Sequence, residues 1–251
     1  MDYTLDDFFR EYPKIAIAFS GGTDSSYLLY EAMAHGADVK AYFVKGAFQP
    51  VFELEDALKL ADKLGADMEI INNDILSDEK VMSNDELRCY YCKNAVFGKL
   101  KEISERDGYE YLSDGTNASD DPSDRPGMKA LEELNILSPL RMCGLTKTEI
   151  RKRSKDAGLF TWNKPSYACL ATRVPVGRPI TKEILENTEK SEGFLFSLGF
   201  TDFRVRYADG TAKIQVPSEQ MERILKHRHT IIMEFKKFYK DVVLDLKSRD
   251  E

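Results

Sequence analysis

The chain has 251 residues, with 36 Lys and Arg against 43 Asp and Glu and a net charge of −7. At 42% hydrophobic and 31% charged residues it has globular composition, long enough for one large domain or two ordinary ones. The acidic balance disfavours a general grip on nucleic acid, and no apolar run approaches the ~20 residues of a membrane span. The acidic start, MDYTLDDFFREY, lacks a signal-peptide core. Four cysteines are too few for a disulfide-stapled fold, so a cytoplasmic enzyme is expected, with no membrane partner.

Residues 14–20 form a short apolar run ending at a glycine pair, and Tyr27, Leu28, Leu29 and Met33 follow at helical spacing. The pattern recurs: strands are predicted at 39–44, 68–71 and 109–112, and helices at 52–64 and near 85–106. A Ser/Asp/Asn/Gly-rich loop follows at 113–127. Short strands alternating with helices predict an α/β fold, a parallel sheet with helices on both faces. Thr146 and Glu149 read as a capping box opening a helix that Gly158 ends. Residues 162–179 hold Pro165, Pro175 and Pro179 and have no clean period.

Beyond them the pattern changes. A helix at 181–198, a hairpin at 203–217 turning on Asp209-Gly210, a helix at 218–238 and a strand at 242–246 predict a small C-terminal α+β domain. The expected division is 1–160, an interdomain functional loop at 161–179, and 180–251.

The most specific motif is SGGTDSS at residues 20–26, directly after the first strand and opening the first helix. Its glycines allow a tight turn that aims backbone N–H groups inward, its serines add donors, and the helix N-terminus favours an anion. It lacks the Gly-Lys-Ser/Thr ending of a Walker A loop and is not GxGxxG. An ordinary Ser/Gly turn with an N-cap is the bland alternative, but the flanking strand and helix favour phosphate binding.

Cys89 and Cys92 are spaced CxxC near a helix start, and Cys169 lies in SYACLATR. Alone, the pair could be core thiols or a redox dithiol, and Cys169 a small buried hydrophobe. Together the three favour a metal. None of His35, His227 or His229 is in a paired ligand motif with them to complete a zinc site. Three thiolates fit a [4Fe–4S] cluster with one iron open. Cys143 has no partner at useful spacing and is read as structural.

At SGGTDSS the chain resembles the PP-loop ATP pyrophosphatases, over residues 14 to about 160. These enzymes cleave ATP between the α and β phosphates to form an adenylate. The resemblance implies ATP and Mg²⁺ held by Ser20, Gly21, Gly22, Thr23, Asp24, Ser25 and Ser26, with Asp24 and Ser25 required for the chemistry. Val44 would touch adenine, and the turn at 113–116, with Gly115, would close over the nucleotide.

Across both domains the chain more closely resembles the LarE family, sulfur transferases of nickel-pincer nucleotide synthesis. The matching stretches are AFSGGTDSS, DRPGM at 124–128, PLRMCGLTKTEIRK at 139–152, WNKPSYACLATRVPVGR at 162–178 and SLGFTDFRVRY at 197–207. The resemblance implies a pyridinium mononucleotide substrate, adenylated on a carboxylate and converted to a thiocarboxylate.

In some members the sulfur is a single cysteine consumed in the reaction, at the position of Cys169. Cys89 and Cys92 instead match members with a [4Fe–4S] cluster, which need a sulfide donor. Arg204 and Arg206 match phosphate-binding positions, and Arg173 and Glu192 match further substrate positions. Gln215 replaces a glutamate of the sacrificial branch, which weakens any acidic metal site there. LarE-like proteins are often oligomeric, yet no homo-oligomer interface is readable from these residues.

The alternatives are sacrificial transfer from Cys169, a PP-loop tRNA thiolase and an amide-forming ligase. The net charge and the lack of a basic, aromatic-interleaved segment disfavour the thiolase. No glutaminase constellation supports the ligase, which has no need of three cysteines.

Overall fold

The computed structural model describes residues 3–120 and 126–249. It divides into two compact units, residues 1–75 with 87–164, and residues 76–86 with 165–251. The junction read at 161–179 is therefore shared: 161–164 go with the larger unit, 165–179 with the smaller.

In the larger unit, α1 (Leu5–Glu11) opens with a capping box between Thr4 and Asp7. β1 (Lys14–Ala18), α2 (Thr23–Ala34), β2 (Asp38–Lys45), α3 (Val51–Leu64) and β3 (Asp67–Asn72) then alternate as the periodicity predicts. α4 (Glu79–Met82) belongs to the smaller unit, after which the chain returns as α5 (Arg88–Arg106) and β4 (Leu112–Ser113). The fourth strand is shorter and later than the predicted 109–112. It pairs with β1 through two residues, and Ala16 N–H donates to the Tyr111 carbonyl just before it.

α6 (Pro126–Glu133), α7 (Pro139–Met142) and α8 (Lys147–Asp156) complete the unit. α6 starts inside the stretch read as loop. Asp124 and Arg125 of the DRPGM match lie outside the described residues.

The sheet runs β3-β2-β1-β4, every neighbouring pair parallel. The middle strands need apolar side chains on both faces, which explains the continuous run Ile15, Ala16, Ile17. Ile15 and Ile17 pack with Leu28, Leu29 and Leu60, whereas Ala16 packs with Tyr42, Leu100 and Leu131. All strands end toward the same edge, where open parallel sheets bind ligands.

The smaller unit contains α9 (Lys182–Ser197), β5 (Arg204–Ala208), β6 (Thr211–Gln215), α10 (Met221–Lys226), α11 (Arg228–Phe235) and β7 (Asp241–Leu244). β5 and β6 form the expected antiparallel hairpin. Asp209 and Gly210 have φ of 48° and 88°, the double left-handed turn that matches strand twist. β7 pairs parallel to β6, because α10 and α11 carry the chain back across the sheet. The helix expected over 218–238 breaks at His227, whose ring packs edge-on against Phe200.

Residues 76–86 join this unit through Asn84, a buried residue at φ 57°. Its Nδ2 donates to the carbonyls of Pro175 and Arg178, each at 2.8 Å. The sequence reading missed this attachment, because its partners lie about 90 residues downstream.

Candidate active site

The SGGTDSS segment forms the turn from β1 into α2. Gly22 caps α2 without a side-chain bond, leaving the helix N-terminus open to an anion. Ser20 Oγ and Ser25 Oγ are 3.1 Å apart, Gly22 N–H donates to Ser20 Oγ at 3.4 Å, and Ser20 N–H donates to Ser25 Oγ at 3.3 Å. The two hydroxyls thus hold the turn and remain donors for a phosphate. Thr23 is turned elsewhere, donating to the Thr161 carbonyl at 2.8 Å.

Asp24 stands in the first turn of α2. Its Oδ2 accepts from the Lys147 ammonium, while Oδ1 is buried and has no hydrogen-bond partner among the described residues. Burial raises the Asp24 pKa above the usual carboxylate range, against the pull of Lys147. An orphaned carboxylate oxygen beside an anion-binding helix end suits a hard cation such as Mg²⁺. Among the described residues Ser26 Oγ, also buried, has no hydrogen-bond partner either.

Lys147 and Lys164 are contributions the sequence reading missed, although both lie in the matching stretches. Lys164 Nζ donates to the Gly21 carbonyl at 3.3 Å and pairs with Asp56 at 2.7 Å. Nothing in the local pattern marks either lysine, because their targets lie 123 and 143 residues away.

Val44, at the end of β2, lines a cavity of about 170 Å³ with Phe19, Ser20, Tyr42, Phe97 and Leu100. Apolar walls running to a loop serine suit a purine ring. The turn at 113–116 packs on the phosphate loop itself. A Cβ on Gly115 would lie 2.9 Å from Ser25 N, so only glycine fits there without moving the loop. Ser113 Oγ donates to the Ala16 carbonyl, and Asp114 accepts from Ser138 Oγ at 2.7 Å.

In the smaller unit, Arg173 and Glu192 are each 1% exposed and paired at two points. Glu192 Oε1 also accepts from Val205 N–H at 2.9 Å, and Oε2 accepts from Tyr167 OH. Burial works against the Arg173 charge, yet Glu192 carries its pKa above the usual value. The pair is tied together rather than pointing outward.

Arg204 and Arg206 share a face of β5. Arg204 donates to the carbonyls of Phe203 and Ser166 and lies over the Tyr167 ring. Arg206 donates to Gln215 Oε1 at 2.5 Å and to the Thr172 carbonyl at 2.9 Å. Burial, then the charges of Arg173 and Arg249, pull Arg204 down to about 10 and lower Arg206 as well. The guanidiniums of Arg204 and Arg206, with those of Arg173 and Arg249 near them, favour an arriving anion. Gln215 links Arg206 to Asp245, its Nε2 donating to Asp245 Oδ2 at 2.7 Å.

No family model matches the chain. Among curated proteins, it is 30% identical over 97% of its length to the pyridinium-3,5-bisthiocarboxylic acid mononucleotide synthase of Lactiplantibacillus plantarum, covering 89% of that protein. The chain belongs to the LarE family. An uncharacterized Synechocystis protein is 34% identical over 88% of the chain and 83% of its own length. More distantly, the tRNA-specific 2-thiouridylase MnmA of Thermotoga petrophila is 26% identical, covering 74% of the chain and 62% of that protein. The LarE chain is thus an ATP-dependent sulfurtransferase with the PP-loop fold.

In this LarE chain the cysteines divide between the units, Cys89 and Cys92 in the larger and Cys169 in the smaller. Cys89 and Cys92 stand one turn apart at the start of α5, on one helix face, with Cys89 exposed. Two thiols so placed suit two ligands of an iron–sulfur cluster. Among the described residues, however, no group of three or more His, Cys, Asp or Glu side chains is gathered to hold a metal ion. Cys169 precedes a 3₁₀ turn, its carbonyl accepting from Thr172 Oγ1 at 2.8 Å. Burial pushes the Cys143 thiol up to about 11, which makes it a poor nucleophile. No helix among the described residues is long and apolar enough to cross a membrane.

Proposed function

We propose that the chain adenylates a carboxylate of a pyridinium mononucleotide and converts it to a thiocarboxylate, with sulfur delivered as sulfide and three cysteines as cluster ligands. The substrate carboxylate attacks the α-phosphorus of ATP, and pyrophosphate leaves with the electrons of the α–β bridging bond. A hydrosulfide then attacks the acyl carbon, the C–S bond forms, and AMP leaves. The phosphate-loop donors would stabilise charge developing on pyrophosphate. Asp24 would hold Mg²⁺, and Val44 would face adenine. Arg204 and Arg206 would take the substrate phosphate, with the buried Arg173–Glu192 pair positioning the strand that carries them.

The observation that supports sulfide delivery is the thiol pair Cys89 and Cys92 on one helix face, present together with Cys169. A [4Fe–4S] cluster bound by these cysteines would supply an open iron that keeps sulfide deprotonated at neutral pH.

The test is anaerobic purification with iron and acid-labile sulfide analysis, followed by protein mass spectrometry after turnover. Bound iron and sulfide, several turnovers and an intact Cys169 are expected. A loss of about 34 Da at Cys169, the mass of H₂S leaving as cysteine becomes dehydroalanine, would establish sacrificial transfer instead. Thiolation of tRNA in place of the mononucleotide would overturn the substrate assignment.

A further inference from the structure

The first residue of α5 is a cation in a place that disfavours one. Arg88 stands at the helix N-terminus, where the macrodipole favours anions, and it is only 8% exposed. Burial and dipole both oppose its charge, so negative charge close by is needed to offset them. Leu87, the N-cap residue, contributes no side-chain hydrogen bond and leaves the first-turn N–H groups to add to the positive field.

The guanidinium is directed at a cysteine. Arg88 Nη2 donates to Cys89 Sγ at 3.5 Å. Tyr91 N–H donates to the Leu87 carbonyl at 3.1 Å, so the turn that carries Arg88 and Cys89 is closed helix rather than loop. Arginine keeps its charge at every working pH and presents its donors in a rigid plane. The bond to the sulfur therefore has a fixed direction, set by a side chain that burial holds in place.

We infer that Arg88 is a positioning residue for iron–sulfur ligation, orienting the Cys89 sulfur and drawing electron density from it. This rests on the cluster reading above, to which the helix end is suited. Thiolate ligands would bring negative charge to the point where dipole and guanidinium both favour it. Hydrogen bonds to cysteine sulfurs help to set a cluster's reduction potential, and groups that orient a ligand govern metal affinity. Without the Arg88 bond, Cys89 donates more electron density to iron and is free to change rotamer. The bound cluster is then harder to reduce and easier to strip. An arginine serving only the fold would alter neither property.

The experiment uses the full chain, purified and reconstituted anaerobically, as wild type, Arg88→Lys and Arg88→Met. Iron and acid-labile sulfide are counted first. Chelator titration then measures how firmly iron is held, redox titration followed by electron paramagnetic resonance gives the midpoint potential, and melting curves report the fold. Arg88→Met should release iron at about tenfold lower chelator concentration, and its midpoint potential should move to more negative values. Arg88→Lys keeps the charge without the planar fork and should fall between the two. Arg88→Gln keeps N–H donors without the charge, and it carries the test, with shifts in the same direction, if Arg88→Met does not fold. Chelator resistance and potential unchanged from wild type, whatever the melting temperature, would overturn the inference and leave Arg88 to the fold. Wild-type protein that holds neither iron nor sulfide would overturn the cluster reading itself, a result distinct from either of these.

Discussion

Arg173 and Glu192 meet through two hydrogen bonds of 2.8 and 3.1 Å, with both side chains essentially removed from solvent. The pair joins the segment after Cys169 to α9, and Glu192 reaches on to the Val205 N–H of β5. One carboxylate therefore holds the strand that carries Arg204 and Arg206. Removing it leaves a buried guanidinium without its counter-charge. Glu192→Ala should lower the unfolding free energy by about 3 kcal/mol, and Glu192→Gln by less. Urea unfolding measures both, and a loss below about 0.5 kcal/mol would assign the pair little weight in the fold.

Arg204 and Arg206 should separate when mutated. Arg206 is half-buried and held by Gln215 and Thr172, so Arg206→Ala should raise the KM for the mononucleotide about tenfold while the KM for ATP moves less than about twofold. Arg204 also ties down Phe203 and Ser166 and covers Tyr167, so Arg204→Ala should lower the melting temperature in addition. AMP release at varied concentrations of each substrate, with melting curves, checks both. A matching rise in the KM for ATP would mean that the arginines serve the nucleotide.

Gly115 is tested by the smallest addition. In Gly115→Ala the new methyl meets Ser25 N at 2.9 Å, against backbone rather than a flexible side chain. The loop must shift, and the KM for ATP should rise about tenfold, since displaced donors no longer converge on the phosphate. Formation of AMP and pyrophosphate at wild-type KM would show that the turn can yield without moving the loop.

Acid should destabilise the chain through two surface networks. Asp107 is held well below the usual carboxylate range, first by Lys40 and then by Tyr42 and Arg106. Asp245 is pulled down to about 2, first by Lys213 and then by Gln215. A carboxylate depressed in the folded state contributes stability above its unfolded value of 3.8, and loses it as pH falls through the folded value. Melting temperature should therefore fall between about pH 4 and pH 2, and Asp245→Asn should flatten that slope. A parallel dependence in wild type and variant would remove Asp245 from the account.

The sequence by itself determined the elements and the chemistry that depend on neighbours along the chain. Apolar runs punctuated by glycine define β1 to β3. SGGTDSS marks the turn from β1 into α2, because strand, glycines and helix start all fall within a few residues. Thr146 and Glu149 announce α8, and Asp209-Gly210 sets the hairpin, each through bonds of short range. Only the tertiary structure decided the relations made across long separations. Lys147 reaches Asp24 across 123 residues, and Asn84 holds the segment after Cys169 across about 90. Arg173 and Glu192, which match substrate positions of the family, pair with each other once folding removes both from water. Long-range partners are chosen by how the helices and strands pack, and no spacing within a segment records that choice.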